Sequence, residues 1–145
     1  MLVDTTKDGW ESQFQTWLSL WRMADQEGQK WTSKAIIEHC AKPHVKLFGW
    51  EIRGELAAIV VGRLTKDLYE VDFLATLPQY RGYGAMTQLL YALRNSPEVS
   101  TIWLEVSNQN ARAKRLYEKI GMRQVGVRKK YYGDGSDSHL FTLKK

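Results

Sequence analysis

Apolar positions first follow a helical rhythm and then, from Val45 onward, a strand rhythm interrupted twice by helices. Trp10, Phe14, Trp17 and Trp21 recur at spacings of four, three and four, which predicts one stripe of a helix. Asp8 or Gly9 would cap its start, and the polar run 25–30 would end it. A second helix begins at Thr32 and Ser33, turns Ile36, Ile37 and Cys40 inward, and stops before Pro43. Strands are expected over 45–52 and 56–64, joined at Arg53-Gly54 as an antiparallel hairpin. A third covers 69–77, with Val71, Phe73 and Ala75 on one face and Glu70, Asp72 and Leu74 on the other.

The loop 79–84 leads into a helix over 85–94, whose Leu89, Leu90 and Leu93 recur with helical period. In the strand 101–107, Ile102, Leu104 and Val106 share one face, opposite Trp103 and Glu105. Asn108-Gln109-Asn110 forms a loop and an N-cap for the helix 111–120. Ala113, Leu116, Tyr117 and Ile120 make that helix's inward stripe, and Gly121 suits its C′ position. Strands 125–132 and 139–143 follow, joined at Gly133-Asp134-Gly135. This order describes an α/β (α+β) fold with helices flanking a mixed sheet. A chain of 145 residues fits a single domain, 1–145.

Composition narrows the chemistry. Cys40 is the only cysteine and sits in an apolar helical stretch, so it reads as a buried inert thiol. His39, His44 and His139 lack the spacing of a metal site, so no metal is expected. Acidic and polar groups among the first residues do not look like a signal peptide, and no apolar run approaches a membrane span. The chain therefore reads as cytoplasmic, with no membrane partner. A formal charge of +5 favours anionic partners. It concentrates in Arg112, Lys114, Arg115, Lys119, Arg123, Arg128, Lys129 and Lys130, against the single acid Glu118. That run fits a solvated face with a charge-protected edge strand as well as it fits a phosphate- or RNA-facing patch.

The most specific chemical signal is Leu77-Pro78-Gln79-Tyr80-Arg81-Gly82-Tyr83-Gly84-Ala85, lying between a strand and a helix. Glycines allow a sharp turn and a close backbone approach, and the helix start offers free N–H groups and a positive dipole end. Such a junction suits a pyrophosphate without a Walker lysine. An ordinary strand-to-helix turn would also use Gly82 and Gly84. Glu105 reads equally as a surface carboxylate or, if its face opens on a cleft, as a general base. Tyr117, twelve residues on, reads as a core tyrosine or as a proton donor.

These residues resemble the GNAT acetyltransferase superfamily, whose acyl-CoA loop follows Q/R-x-x-G-x-G/A. The run 81–86 matches at Arg81 and Gly84 and places Met86 where Gly or Ala is usual. A shifted placement on Gln79, Gly82 and Gly84 meets every fixed position, but the first keeps the family's P-x-Y-R-G-x-G phrasing around Pro78 and Tyr80. Leu104-Glu105-Val106, Asn110, Leu116-Tyr117-Glu118-Lys119-Ile120-Gly121-Met122 and Arg128-Lys129-Lys130-Tyr131-Tyr132 are similar to the RimI subgroup, which acetylates the N-terminal alanine of a ribosomal protein. The resemblance covers about half the chain, residues 70–132.

It implies a GNAT-type fold with a mostly antiparallel sheet, acetyl-CoA as co-substrate, and an acceptor that is a peptide or protein N-terminus. Glu105 would take a proton from the amine and Tyr117 would return one to the thiolate. Leu74, Ala75 and Thr76 would supply oxyanion N–H groups. Arg81, Gly82, Tyr83, Gly84, Ala85 and Met86 would cradle the pyrophosphate, and Asn110 would bond the pantetheine arm. A small amine or a lysine side chain as acceptor stays open, because Glu70, Asp72 and Glu105 suit any cation. So does an RNA-binding module that uses the basic run with Tyr131 and Tyr132.

Overall fold

The computed structural model describes residues 1–4, 15–17, 19 and 32–145. The cap at Asp8 or Gly9 and the placement of Trp10, Phe14 and Trp21 lie outside the described residues. Among the described residues, seven strands form one sheet: β1 (Leu2–Asp4), β2 (Val45–Ile52), β3 (Glu55–Thr65), β4 (Leu68–Thr76), β5 (Thr101–Ser107), β6 (Arg123–Arg128) and β7 (Ser138–Lys144). Their spatial order is β1-β2-β3-β4-β5-β7-β6. Every pairing is antiparallel except β4 with β5. Among the described residues the helices are α1 (Ser33–Cys40), α2 (Ala85–Arg94) and α3 (Ala111–Lys119), and Gln15, Thr16, Trp17 and Ser19 are also helical. A mixed, mostly antiparallel sheet flanked by helices is the architecture that the sequence predicts.

Local chemistry sets the helix ends. Thr32 caps α1 by accepting from the Ala35 N–H at 3.1 Å, and Asn110 caps α3 by accepting from Ala113 at 3.1 Å. Gly121 follows α3 with φ 93°, a left-handed residue that glycine adopts without a Cβ clash. In α1, Ile36 and Cys40 stand four apart and are buried together. Ile37 lies about 100° round the helix from Ile36 and is 46% exposed, contrary to the expectation that it faces inward. Burial pushes the Cys40 thiol up to about 12, with the Asp72 carboxylate adding to the effect, so the thiol stays protonated and unreactive.

The sheet carries a core on each face. Ala85, Met86, Leu89, Leu90 and Leu93 of α2 pack with Tyr117, Ile120, Leu104, Val106 and Phe141 on one side. Trp17, Ile36 and Cys40 pack with Leu47, Ile59, Val61 and Ala75 on the other. Buried hydrophobic area of this kind is the main stabilising term.

Three further expectations are corrected. First, β1 was not anticipated: a three-residue strand is too short to show alternation, yet it pairs with β2 at Val3↔Gly49. Second, β4 does not alternate evenly, because the β3 partner shifts between Val61 and Gly62 and leaves Asp72 as the extra residue of a bulge. Val71 and Leu74 therefore pack on the α2 face, while Phe73 and Ala75 pack on the α1 face. Third, β6 ends at Arg128 and not at Tyr132. Lys130 turns to φ 49° and its N–H donates to Asp137 Oδ1 at 2.9 Å, so the chain leaves the sheet there.

The bulge needs Gly62. A Cβ at that position would stand 2.8 Å from Cζ of Tyr69 and would collide with the Glu70 carbonyl. Tyr69 cannot give way easily, because it is fully buried and its hydroxyl donates to the Lys46 carbonyl at 2.7 Å. Gly62→Ala is expected to cost about 1–3 kcal/mol by overpacking, measured as a lower urea midpoint at unchanged m-value. An unchanged midpoint would show that this close approach has slack.

Candidate active site

The site begins where two strands part. The parallel ladder between β4 and β5 runs only from Leu68↔Thr101 to Glu70↔Trp103. Beyond it, β4 stays with β3 as far as Thr76, while β5 continues beside β7. The Leu77 N–H donates to the Ala57 carbonyl at 2.8 Å. Alternation in an antiparallel ladder then turns the Ala75 and Phe73 N–H groups towards β3. The N–H groups of Leu74 and Thr76 point the other way, into the gap that β5 has left.

A cleft of about 490 Å³ opens at this gap, between the starts of α2 and α3. Leu74, Ala75 and Thr76 line it from β4. Arg81, Gly82, Gly84, Ala85 and Met86 line it from the glycine loop. Asn110 and Tyr117 line it from α3 and its cap. Sequence reasoning did not single out Tyr80, Thr87, Ala113 and Leu116 as lining residues, and it met Arg112 and Lys119 only as members of a basic run. On α3, helical spacing relates them in two adjacent rows: Arg112, Leu116 and Lys119 recur at i, i+4 and i+7, and Ala113 lies one turn before Tyr117.

The loop's geometry leaves donors free. Pro78–Tyr80 forms a 3-10 turn, after which Gly82 takes φ 84° and Gly84 takes φ 76°. Gly84 is the N-cap of α2 and offers no side chain to its first turn. The first bond within the helix runs from the Gln88 N–H to the Gly84 carbonyl at 2.9 Å. The N–H groups of Gly82, Gly84, Ala85, Met86 and Thr87 thus have no backbone acceptor among the described residues. The Met86 side chain is buried in the core beside Ala85 and Leu89, so its bulk lies inward and its N–H remains with the others. Tyr83 is 75% exposed and stands outside the cleft lining.

Charge is unevenly shared. Arg81, Arg112 and Lys119 line the cleft, no Asp or Glu does, and none of the three cations has an ion pair among the described residues. This suits an anion. Tyr117 is buried against Phe141, with ring centroids 5.9 Å apart. Its hydroxyl has no hydrogen-bond partner among the described residues. Burial pushes its phenol well above the ordinary value, and the nearby Tyr132 pushes it further. Asn110 spends Oδ1 on the helix cap, which leaves its amide Nδ2 for a ligand.

Glu105 does not line the cleft. Its neighbours Leu104 and Val106 face the α2 core, so the carboxylate projects from the opposite face of β5. There Ser138 Oγ donates to its Oε2 at 2.7 Å, and Arg128 Nη2 stands 3.4 Å from Oε1. Among the described residues, no group of three or more His, Cys, Asp or Glu side chains could hold a metal, and no helix is long and apolar enough to cross a membrane.

A family model described as the acetyltransferase (GNAT) family matches residues 10–122. The chain is 31% identical over 114 residues to an N-alpha-acetyltransferase RimI of Mycobacterium tuberculosis, covering 75% of this chain and 72% of that one. It is 41% identical over 111 residues to a ribosomal protein bS18-alanine N-acetyltransferase of Haemophilus ducreyi, covering 73% and 76%. The fold matches the crystal structure of the Escherichia coli ribosomal-protein-S18-alanine N-acetyltransferase with TM-score 0.75 at 23% identity, over 99% of this chain and 94% of that one. It also matches a GNAT family acetyltransferase from Elizabethkingia anophelis with acetyl-CoA bound, at TM-score 0.72 and 16% identity, over 100% and 97%.

The cations make a direct test. Arg112→Ala and Lys119→Ala are each expected to weaken CoA binding by about three- to tenfold, the scale of a partly exposed charge contact. The difference from wild type should shrink as salt rises. Affinities that match wild type at low salt would remove both residues from the phosphate site.

Proposed function

Because the chain belongs to the GNAT acetyltransferase family, we propose that it moves the acetyl group of acetyl-CoA to the N-terminal α-amino group of a protein, with a ribosomal protein as the leading acceptor class. Family membership makes the chain an acetyl-CoA-dependent transferase, and the acceptor is what the proposal adds. The observation that carries the acceptor is the similarity to N-alpha-acetyltransferases over some three quarters of the chain. A ribosomal acceptor makes the cytoplasm the expected compartment.

The cleft fits the co-substrate on its own chemistry. Free N–H groups from Gly82 to Thr87, with Arg81, Arg112 and Lys119 alongside, suit a pyrophosphate. The apolar side chains of Leu74 and Leu116 suit a pantetheine arm, whose amides Asn110 Nδ2 can meet. Acetyl-CoA supplies an activated acyl carbon in its thioester. The N–H groups of Leu74 and Thr76 point where the thioester oxygen would lie, and donors placed there favour charge developing on it.

Glu105 is assigned the role of base. Acceptor α-amines have a pKa of roughly 7.7–8.0, so a modest base completes their deprotonation near neutral pH. Ser138 and Arg128 fix the carboxylate's rotamer, and an acceptor approaching that face would reach it directly or through water. Tyr117 is assigned the role of acid. Its raised pKa keeps the phenol protonated across the physiological range, and its unpartnered hydroxyl is free to give a proton to the departing thiolate.

Glu105→Gln and Tyr117→Phe are each expected to lower kcat by about ten- to a thousandfold, the scale of one lost proton transfer, with CoA affinity retained. Turnover unchanged in either variant would remove that residue's role. Because the Tyr117 phenol is raised, activity should not fall through its ionisation below about pH 10. A loss near pH 9 that disappears in Tyr117→Phe would contradict the assignment. The acceptor is tested by thermal shift and acetylation together. Acetyl-CoA at a hundred times its Kd should stabilise by about 2.7 kcal/mol, and an Ala-starting peptide should be acetylated in preference to lysine or spermidine. Transfer to spermidine or lysine with the peptide untouched would overturn the acceptor, while salt-dependent RNA binding without any acetyl-CoA shift would overturn the enzyme reading.

A further inference from the structure

The glycine loop is tied to a part of the fold remote from the cofactor in sequence. Glu55 opens β3, directly after the Arg53-Gly54 turn of the β2–β3 hairpin. Tyr80 closes the 3-10 turn that precedes Arg81-Gly82-Tyr83-Gly84, and it lines the cleft. Tyr80 Oη donates to Glu55 Oε2 at 2.6 Å. Gln79 Nε2 donates to Glu55 Oε1 at 3.4 Å. One carboxylate thus takes both polar side chains of the turn.

We propose that Glu55 is a positioning residue for acetyl-CoA, acting through Tyr80 to hold the 3-10 turn so that the N–H groups of the glycine loop stay aimed into the cleft. The loop itself has little else to fix it. Gly82 and Gly84 carry no side chain to pack and occupy open space in which a Cβ would meet nothing within 4 Å. Tyr83 is exposed, and among the described residues the only backbone bonds across the turn run from Tyr80 to Leu77, from Arg81 to Pro78, and from Tyr83 to Tyr80 at 3.4 Å. Without an external anchor, the ordering entropy of the loop would have to be met at the moment of binding. Tyr80 lines the cleft and Glu55 does not, so the carboxylate reaches the site only through the side chain it holds. The bond to Glu55 is also the first cause of the raised Tyr80 pKa, as expected of a phenol that stays protonated and donates.

The inference rests on the acetyl-CoA reading, and direct binding separates the two. CoA affinity of the full chain would be measured by calorimetry for wild type, Glu55→Ala, Glu55→Gln and Tyr80→Phe, together with Tm and steady-state kinetics. Glu55→Ala and Tyr80→Phe are expected to raise the CoA Kd by about five- to twentyfold, the scale of a lost charge-assisted hydrogen bond. The double variant should be no worse than either single one, because both remove the same bond. Glu55→Gln keeps an acceptor oxygen and should stay within about twofold of wild type. In Glu55→Ala, KM for acetyl-CoA should rise while kcat at saturation holds, with Tm within a degree or two. Wild-type affinity in Glu55→Ala or Tyr80→Phe, additive losses in the double variant, or a Glu55→Gln as weak as Glu55→Ala would each overturn the proposal. Wild type that fails to bind CoA at all would overturn the acetyl-CoA reading, and this inference with it.

Discussion

Everything at the site follows from the early end of the ladder between β4 and β5. Strands in the middle of a sheet normally satisfy both edges, and unpaired backbone groups inside a protein are costly. Here the pairing stops at Glu70↔Trp103, and two β4 N–H groups are left facing the gap with no backbone acceptor among the described residues. The bulge at Asp72 falls just past that point. Its carboxylate is gripped by His39 Nε2 at 2.9 Å and by Arg63 Nε at 3.3 Å, and Arg63 also holds Glu70 at 3.1 Å. Polar and charged side chains of α1, β3 and β4 therefore brace the position where the strands diverge, and Gly62 gives the bulge its room.

Parting the strands also divides the chemistry between two faces. Cations and free N–H groups gather on the side of α2 and α3, around the cleft. Carboxylates gather on the other side, where Glu70, Asp72 and Glu105 are each held by an Arg. An anionic co-substrate and a cationic acceptor would thus approach from opposite faces and meet in the gap, without either crossing the other's charge. Arg128 links this arrangement to the segment after β6: it pairs with Glu105 and lies 5.4 Å over the Tyr131 ring. Tyr131 in turn meets Tyr132 edge-on at 5.1 Å.

Much of this is legible in the sequence where chemistry is local. The helices 85–94 and 111–120 follow from leucine spacing and an asparagine cap, and the structure places them at Ala85–Arg94 and Ala111–Lys119. The alternation of Ile102, Leu104 and Val106 correctly separates Glu105 from the core. What sequence does not convey is non-local. The side on which Val71 or Phe73 packs depends on a bulge set by the β3 partner. The inward role of Met86 depends on how α2 lies against the sheet. Glu55 has no motif and matters only because the hairpin brings it to Tyr80. The end of β6 is decided by Asp137, which draws the Lys130 N–H out of register.

The most direct measurement is a backbone amide titration by nuclear magnetic resonance with acetyl-CoA. Ligand-filled donors in the gap require the largest shifts at the N–H groups of Leu74, Thr76 and residues 84–87, with α1 and β6 nearly still. Large shifts confined to the basic residues of α3 and β6, with Leu74 and Thr76 unmoved, would show that the parted strands are not where the cofactor lies.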